Sequence, residues 1–211
     1  MNIKKIPKVI IIDFGMGNLR SVKKILENFE VEVIVSNKKE ELVNADKIIL
    51  PGVGAFPDAM KNLHDLDLIE TLEREVVQKR KPFLGICLGM QMLAKVGYEI
   101  KETKGLGWLD ATVKPFKDTN LFRVPHIGWD HIKILNRTSL FKDFHGEPTF
   151  YFVHGFNLHS NSLTVVLATC EYGEVFTAAV QQHNIFGTQF HPEKSQANGM
   201  MLIDNFLMWK E

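Results

Sequence analysis

The sequence predicts an α/β fold: a mostly parallel central sheet with helices on both faces, joined in its second half to an antiparallel β section. Three observations predict it. The first half alternates short apolar runs with segments of helical period. Those runs are apolar throughout, as strands covered on both faces require. Beyond Leu109 the pattern changes to short alternating segments separated by turn residues.

Taken in order, "KVIIIDFG" at 8–15 reads as the first strand. "NLRSVKKILENF" at 18–29 places Leu19, Val22, Ile25, Leu26 and Phe29 at helical spacing, with Asn18 as a cap. "VEVIVS" at 31–36 and "KIILPG" at 47–52 are the next strands, the latter stopped by Pro51-Gly52. Residues 56–80 read as helical with charge on one face, "PFLGI" at 82–86 as a buried strand, and 88–96 as a helix. "TVKPF", "HIKIL", "TFYFVHGFNL", "LTVVLATCEYG", "FTAAVQQ" and "IFGTQF" then read as antiparallel strands. A last helix, 196–210, puts Met200, Ile203, Phe206 and Leu207 on one face. No repeat, low-complexity stretch or linker interrupts this order, so one domain over 1–211 is expected.

A chain of 211 residues suffices for a substantial core. With 45% apolar and 24% charged residues it reads as an ordinary soluble globular protein. Lys+Arg and Asp+Glu are 25 each, which gives no electrostatic case for nucleic acid or an anionic membrane as partner. In "MNIKKIPKVIIID" the apolar run is only about five residues, has no small-residue cleavage site and ends at Asp13, so it reads as a strand and not a leader. No segment approaches the roughly 20 apolar residues of a membrane span, and the cytoplasm is the expected location. Two distant cysteines make neither a disulfide framework nor a cysteine zinc site. His154, His159 and His183 match no common ligand spacing, so no metal and no cofactor is expected.

The chemistry concentrates at the carboxyl ends of the predicted parallel strands, where α/β sheets place their ligands. Gly85-Ile86-Cys87-Leu88-Gly89 has the form Gly-x-nucleophile-x-Gly, a sharp strand-to-helix turn that exposes the central side chain. Larger residues in place of the glycines would collide where the turn tightens. Cys87 then stands at the amino end of a helix, where unpaired N–H groups favour the thiolate, the reactive form of the side chain. A small buried hydrophobe is the competing reading of a free cysteine. It suits Cys170 in "ATCEYG"; for Cys87 the turn pattern decides otherwise. A thiolate needs a base, and the base an orienting group. "FGTQFHPEKSQ" supplies both in His191 and Glu193. Pro192 restricts its neighbour and its own φ, so His-Pro-Glu is expected to stay extended. Residues i and i+2 would then face the same side with Cα atoms roughly 6.5–7 Å apart. For the developing oxyanion, the Leu88 N–H and the turn Gly52-Val53-Gly54 offer backbone donors. Gln91 lies one helical turn after Cys87, and would otherwise be an exposed polar residue. A cysteine peptidase or thiol hydrolase on the same turn, or a regulatory subunit whose pocket holds its ligand without cleaving it, are the rival functions.

"PGVGAF", "GICLGMQML" and "GTQFHPEKSQ", in this order, resemble the class I (triad) glutamine amidotransferases, and the motifs span residues 50–196. "DFGMGNLRSV", "PHIGWD", "YFVHGF" and methionine in "CLGMQ" narrow the resemblance to the branch formed by the glutaminase subunits of imidazole glycerol phosphate synthase. The resemblance implies that Cys87 is the nucleophile, His191 the general base and acid, and Glu193 its orienter. It further implies that Val53 and Leu88 supply the oxyanion hole and that Gly52, Gly54 and Gln91 bind glutamine. The acceptor of ammonia would be a (β/α)8-barrel cyclase, forming a heterodimer through Asn18, Trp129, Lys194 and Ser195. The family commonly has asparagine at Asp130 and serine-tyrosine at Gly155-Phe156, so contacts there are expected to differ.

Overall fold

The computed structural model describes residues 6–117, 122–137 and 139–210. In the first half, β1 (Lys8–Ile12), β2 (Glu32–Ser36), β3 (Lys47–Gly52) and β4 (Phe83–Cys87) are parallel neighbours in the order β2-β1-β3-β4. Successive side chains serve two cores: Val9 and Ile11 enter one, Ile10 and Ile12 the other, and all four are fully buried. A strand with a core on each face has no place for a polar residue, which is why these runs lack alternation. α1 (Leu19–Leu26) closes the first core with Val22, Ile25 and Leu26. α2 (Lys39–Asn44), α3 (Phe56–Asp65) and α4 (Ile69–Leu72) close the second. α2 buries only Leu42 and is too short to show a period in the sequence. The helical stretch expected over 56–80 is broken at Asp67, where φ is 52°, and its last part, Glu73–Gln78, is π-helical.

The helix expected at 88–96 is corrected. Only α5 (Leu88–Gln91) is helical, and the chain turns directly into β5 (Ala94–Gly97). The reason is competition for backbone carbonyls. Those of Met92, Leu93 and Ala94 accept from the N–H groups of Leu106, Leu109 and Gly107, so tertiary pairing replaces the next helical turn. β5 thereby joins β6 (Thr103–Lys104), β7 (Leu109–Pro115) and β10 (Phe156–Ser160) in a four-stranded sheet of order β10-β7-β5-β6.

The antiparallel section continues the central sheet. β13 (Ile185–Thr188) pairs parallel with β4 and antiparallel with β12 (Glu174–Gln182). β11 (Val166–Tyr172), β8 (His126–Ile134) and β9 (Thr149–His154) extend it to nine strands, in the order β2-β1-β3-β4-β13-β12-β11-β8-β9. α6 (Gln196–Met208) covers the first core with Leu202, Ile203 and Phe206. Among the described residues no helix is long and apolar enough to cross a membrane. For the site, the decisive feature is register: Gly52 of β3 stands opposite Cys87 of β4, and Thr188 of β13 opposite Ile86. The ends of three adjacent strands therefore bring the glycine turn, the cysteine and the histidine to one place.

Candidate active site

β4 ends on Cys87, which takes φ 55° and ψ −110°. A non-glycine residue held there costs on the order of 1–3 kcal/mol and persists only when its surroundings enforce it. They do. A Cβ on Gly85 would stand 2.5 Å from the Gly89 carbonyl oxygen, and one on Gly89 1.8 Å from that of Leu50. The two glycines let the turn close onto the neighbouring strand, and the closure drives the Cys87 side chain out of the sheet at the start of α5. The thiol is 6% exposed. It donates to the Val153 carbonyl at 3.8 Å and accepts from Gln189 Nε2 at 3.6 Å.

His191 follows β13 and is anchored by its backbone. Its N–H donates to the Tyr151 carbonyl at 2.9 Å, and its own carbonyl accepts from Ser195 Oγ at 2.6 Å. The ring is 2% exposed, and Nδ1–H donates to Glu193 Oε1 at 2.8 Å. The contact is the expected one, but the route to it is not. Pro192–Lys194 form a 3-10 turn, so His-Pro-Glu is not extended throughout. Only His191 keeps extended angles, and the turn swings the carboxylate back under the ring. Nε2 is buried and makes no hydrogen bond of normal geometry. The group it senses electrostatically is the Cys87 thiol. Burial alone would lower the imidazole's pKa; the charge and hydrogen bonding of Cys87, then of Glu193, outweigh it and hold the value up at about 10. A ring so placed holds a proton beside the sulfur, in the loose arrangement usual before substrate binds. Cys170, by contrast, sits in β11 and burial pushes its thiol up to about 12.

The two oxyanion candidates differ. The Leu88 N–H belongs to the first residue of α5 and has no helical partner. The Val53 N–H donates to the Met16 carbonyl at 3.2 Å, so in this state it is turned away from that task. Gly54, with φ 101°, completes the turn beside it. Gln91 is 4% exposed and not a surface residue; its Nε2 donates to the Phe156 carbonyl and to Gln189 Oε1, both at 3.0 Å.

Of the residues expected at a partner surface, Trp129 is 45% exposed, with its ring 5.9 Å from that of Tyr151. Exposed Lys194 places its Nζ 5.2 Å over the same Tyr151 ring. Asn18 starts α1, partly buried, and makes no side-chain cap. Ser195 is 1% exposed, and its hydroxyl donates to the His191 carbonyl and accepts from the Tyr151 N–H, so in this chain its side chain is engaged internally.

Sequence reasoning missed Gln189 and a buried histidine chain behind it. His154 Nδ1–H donates to the Phe156 carbonyl at 2.8 Å, His126 Nδ1 meets His154 Nε2 at 3.1 Å, and His126 Nε2 meets Asp130 Oδ2 at 2.7 Å. Burial brings His154 down to about 3, so that ring is neutral. Three gaps need three protons, and two neutral rings supply two. Burial also lowers His126 against the pull of Asp130, so the third proton is held weakly at the end that opens to solvent. The available signal was polar residues inside otherwise apolar strands, such as Gln189 in "IFGTQF".

The model of the glutamine amidotransferase class-I family matches residues 10–209. The chain is 48% identical to imidazole glycerol phosphate synthase subunit HisH 2 of Vibrio vulnificus, over 96% of this chain and 94% of that one. It is 45% identical to subunit HisH of Methanocaldococcus jannaschii, over 93% and 97%. Among solved structures it resembles PurLQS from Thermotoga maritima (TM-score 0.74, 18% identity, 96% of this chain and 98% of that one). It also resembles a glutamine amidotransferase from the same organism (TM-score 0.66, 22% identity, 97% and 84%). The structural likenesses speak for the fold alone; with the family match and the two sequence relatives, they place the chain in the class-I glutamine amidotransferase family.

Proposed function

We propose that this chain hydrolyses glutamine to glutamate and ammonia, as the glutaminase subunit of an imidazole glycerol phosphate synthase. One arrangement carries the reading: an imidazole held by a carboxylate on one nitrogen keeps its other nitrogen buried and unpaired at the strand ends where Cys87 stands on a strained strand-to-helix turn. The Cys87 sulfur attacks the side-chain amide carbon. His191 gives its proton to the departing nitrogen, and ammonia leaves. The same ring then takes a proton from water, which cleaves the glutamyl thioester. Glu193 fixes which nitrogen carries the proton at each step. Gly52, Gly54 and Gln91 line the place where the amide would sit.

The Leu88 N–H stands ready for the oxyanion, whereas the Val53 N–H must first leave the Met16 carbonyl. A donor of this kind contributes roughly 10²–10³ in rate, so the isolated chain is a slow glutaminase. Release of that turn is the natural point of control by a partner. The exposed Trp129, the Lys194–Tyr151 pair and Asn18 suit contact with a (β/α)8-barrel cyclase. That cyclase would use the ammonia to form imidazole glycerol phosphate and aminoimidazole carboxamide ribonucleotide in histidine biosynthesis. In this reading residues 1–211 act as one glutaminase domain that works without metal or cofactor in the cytoplasm.

The test is ammonia release from glutamine by the complex, with intact protein and with Cys87→Ala. The reading expects release by the first, none above background by the second, and a glutamyl adduct on the Cys87 peptide of the first after rapid quenching. Undiminished release by Cys87→Ala would sink it.

A further inference from the structure

An unbroken set of hydrogen bonds runs from a backbone carbonyl to the sulfur of the nucleophile. The Phe156 carbonyl accepts from Gln91 Nε2 at 3.0 Å, the same Nε2 donates to Gln189 Oε1 at 3.0 Å, and Gln189 Nε2 donates to Cys87 Sγ at 3.6 Å. Amide side chains can be turned over, nitrogen for oxygen, and the hydrogen-bond network must decide between the two orientations. Here it decides without ambiguity. A backbone carbonyl only accepts, so Gln91 must face Phe156 with its nitrogen. The second N–H of that nitrogen needs an acceptor, so Gln189 must present its oxygen to it. That leaves the Gln189 nitrogen facing the sulfur.

We propose that Gln189 is a catalytic residue of this site: an N–H donor of fixed polarity that stabilises the Cys87 thiolate, with Gln91 and the Phe156 carbonyl as the positioning groups that keep it turned that way. A donor aimed at an anion favours the anion. Gln189 is fully buried and Gln91 is 4% exposed, so water does not compete for these bonds. His154 donates to the same carbonyl at 2.8 Å and fills its remaining acceptor site, which ties the Phe156 peptide to the buried histidine chain. The donor acts twice in the cycle. It supports the thiolate before attack, and supports it again as leaving group when water cleaves the thioester. Its consequence for turnover rests on the glutaminase reading; its effect on the sulfur does not.

The experiment is the rate of Cys87 alkylation by iodoacetamide as a function of pH, on the full chain without glutamine. Cys87→Ala protein supplies the background from Cys170. Gln189→Met keeps length and bulk and removes the donor. Its half-maximal alkylation is expected about one pH unit higher than in the wild type, with a rate about tenfold lower below that point. Gln91→Met leaves Gln189 in place but free to turn over, and is expected to shift the profile the same way by less. Melting curves establish that each variant folds; should Gln189→Met not fold, the Gln91→Met shift decides. An unchanged profile in the deciding variant overturns the proposal. Failure of wild-type complex to release ammonia from glutamine would overturn the glutaminase reading instead, and leave this comparison standing.

Discussion

The turn at 85–89 and the turn at 52–54 lie side by side at the carboxyl end of the sheet, with Gly52 in register with Cys87, yet they are held in different ways. In the first, backbone presses on backbone: a Cβ on Gly89 would sit 1.8 Å from a main-chain oxygen. In the second, only Gly52 is packed on main chain, a Cβ there standing 2.9 Å from the Gly89 nitrogen; beyond it Val53 is 43% exposed, one hydrogen bond to Met16 fastens the peptide, and a Cβ on Gly54 would meet only the tip of the Met16 side chain. Under the proposed function, the nucleophile is therefore built into the fold, while half of the oxyanion cradle hangs on a single breakable contact. The difference teaches where such a site can be regulated: packing sets the sulfur, and under the proposed function one peptide would set the rate.

The largest effect is expected from removing that difference. Gly89→Ala forces two main chains apart and should cost about 3 kcal/mol or more, lowering the melting temperature by about 6–12 °C. Gly54→Ala, at φ 101°, should cost only about 1–2 kcal/mol, while altering glutamine turnover. Equal destabilisation by calorimetry would erase the contrast.

A second effect concerns the base. A free imidazole titrates at about 6.5; burial would lower the His191 value, but its partners raise it to about 10 in the folded chain. A raised value means stabilisation that is complete below pH 6.5 and lost as pH rises through about 10. Wild-type melting temperature is expected to fall across that window, and Glu193→Gln to flatten the fall and cut turnover about a hundredfold. An identical pH profile in the variant would remove Glu193 from the base.

The smallest effect lies at the far end of the buried chain. Asp130→Asn supplies an N–H to His126 Nε2 in place of a weakly held proton. It should raise the melting temperature by about 2–4 °C at pH 8 and leave it nearly unchanged at pH 5. A gain of the same size at both values would show that no shared proton is involved.

What could be seen in advance was local in the chain. The elbow is five consecutive residues, and the base and its orienter are two apart, so their chemistry is written in contiguous sequence. Even there the path was misjudged: Pro192 opens a 3-10 turn that folds Glu193 back. Non-local competition hid the rest. Nothing near residue 92 announces that its carbonyl will be taken by Leu106, or that the Val53 N–H will be held by Met16, or that Ser195 will be buried tying Tyr151 to His191. Gln189 escaped for the same reason, since its partners lie about a hundred residues upstream at Cys87 and Gln91.

The most direct measurement compares glutamine turnover by the chain alone with turnover in complex with the proposed barrel cyclase, loaded with its ligand. If a latched Val53 peptide withholds one oxyanion donor, the complex is faster by roughly 10²–10³, and Cys87→Ala abolishes both rates. Equal turnover in the two states would contradict the latch and the division between a fixed nucleophile and a releasable cradle.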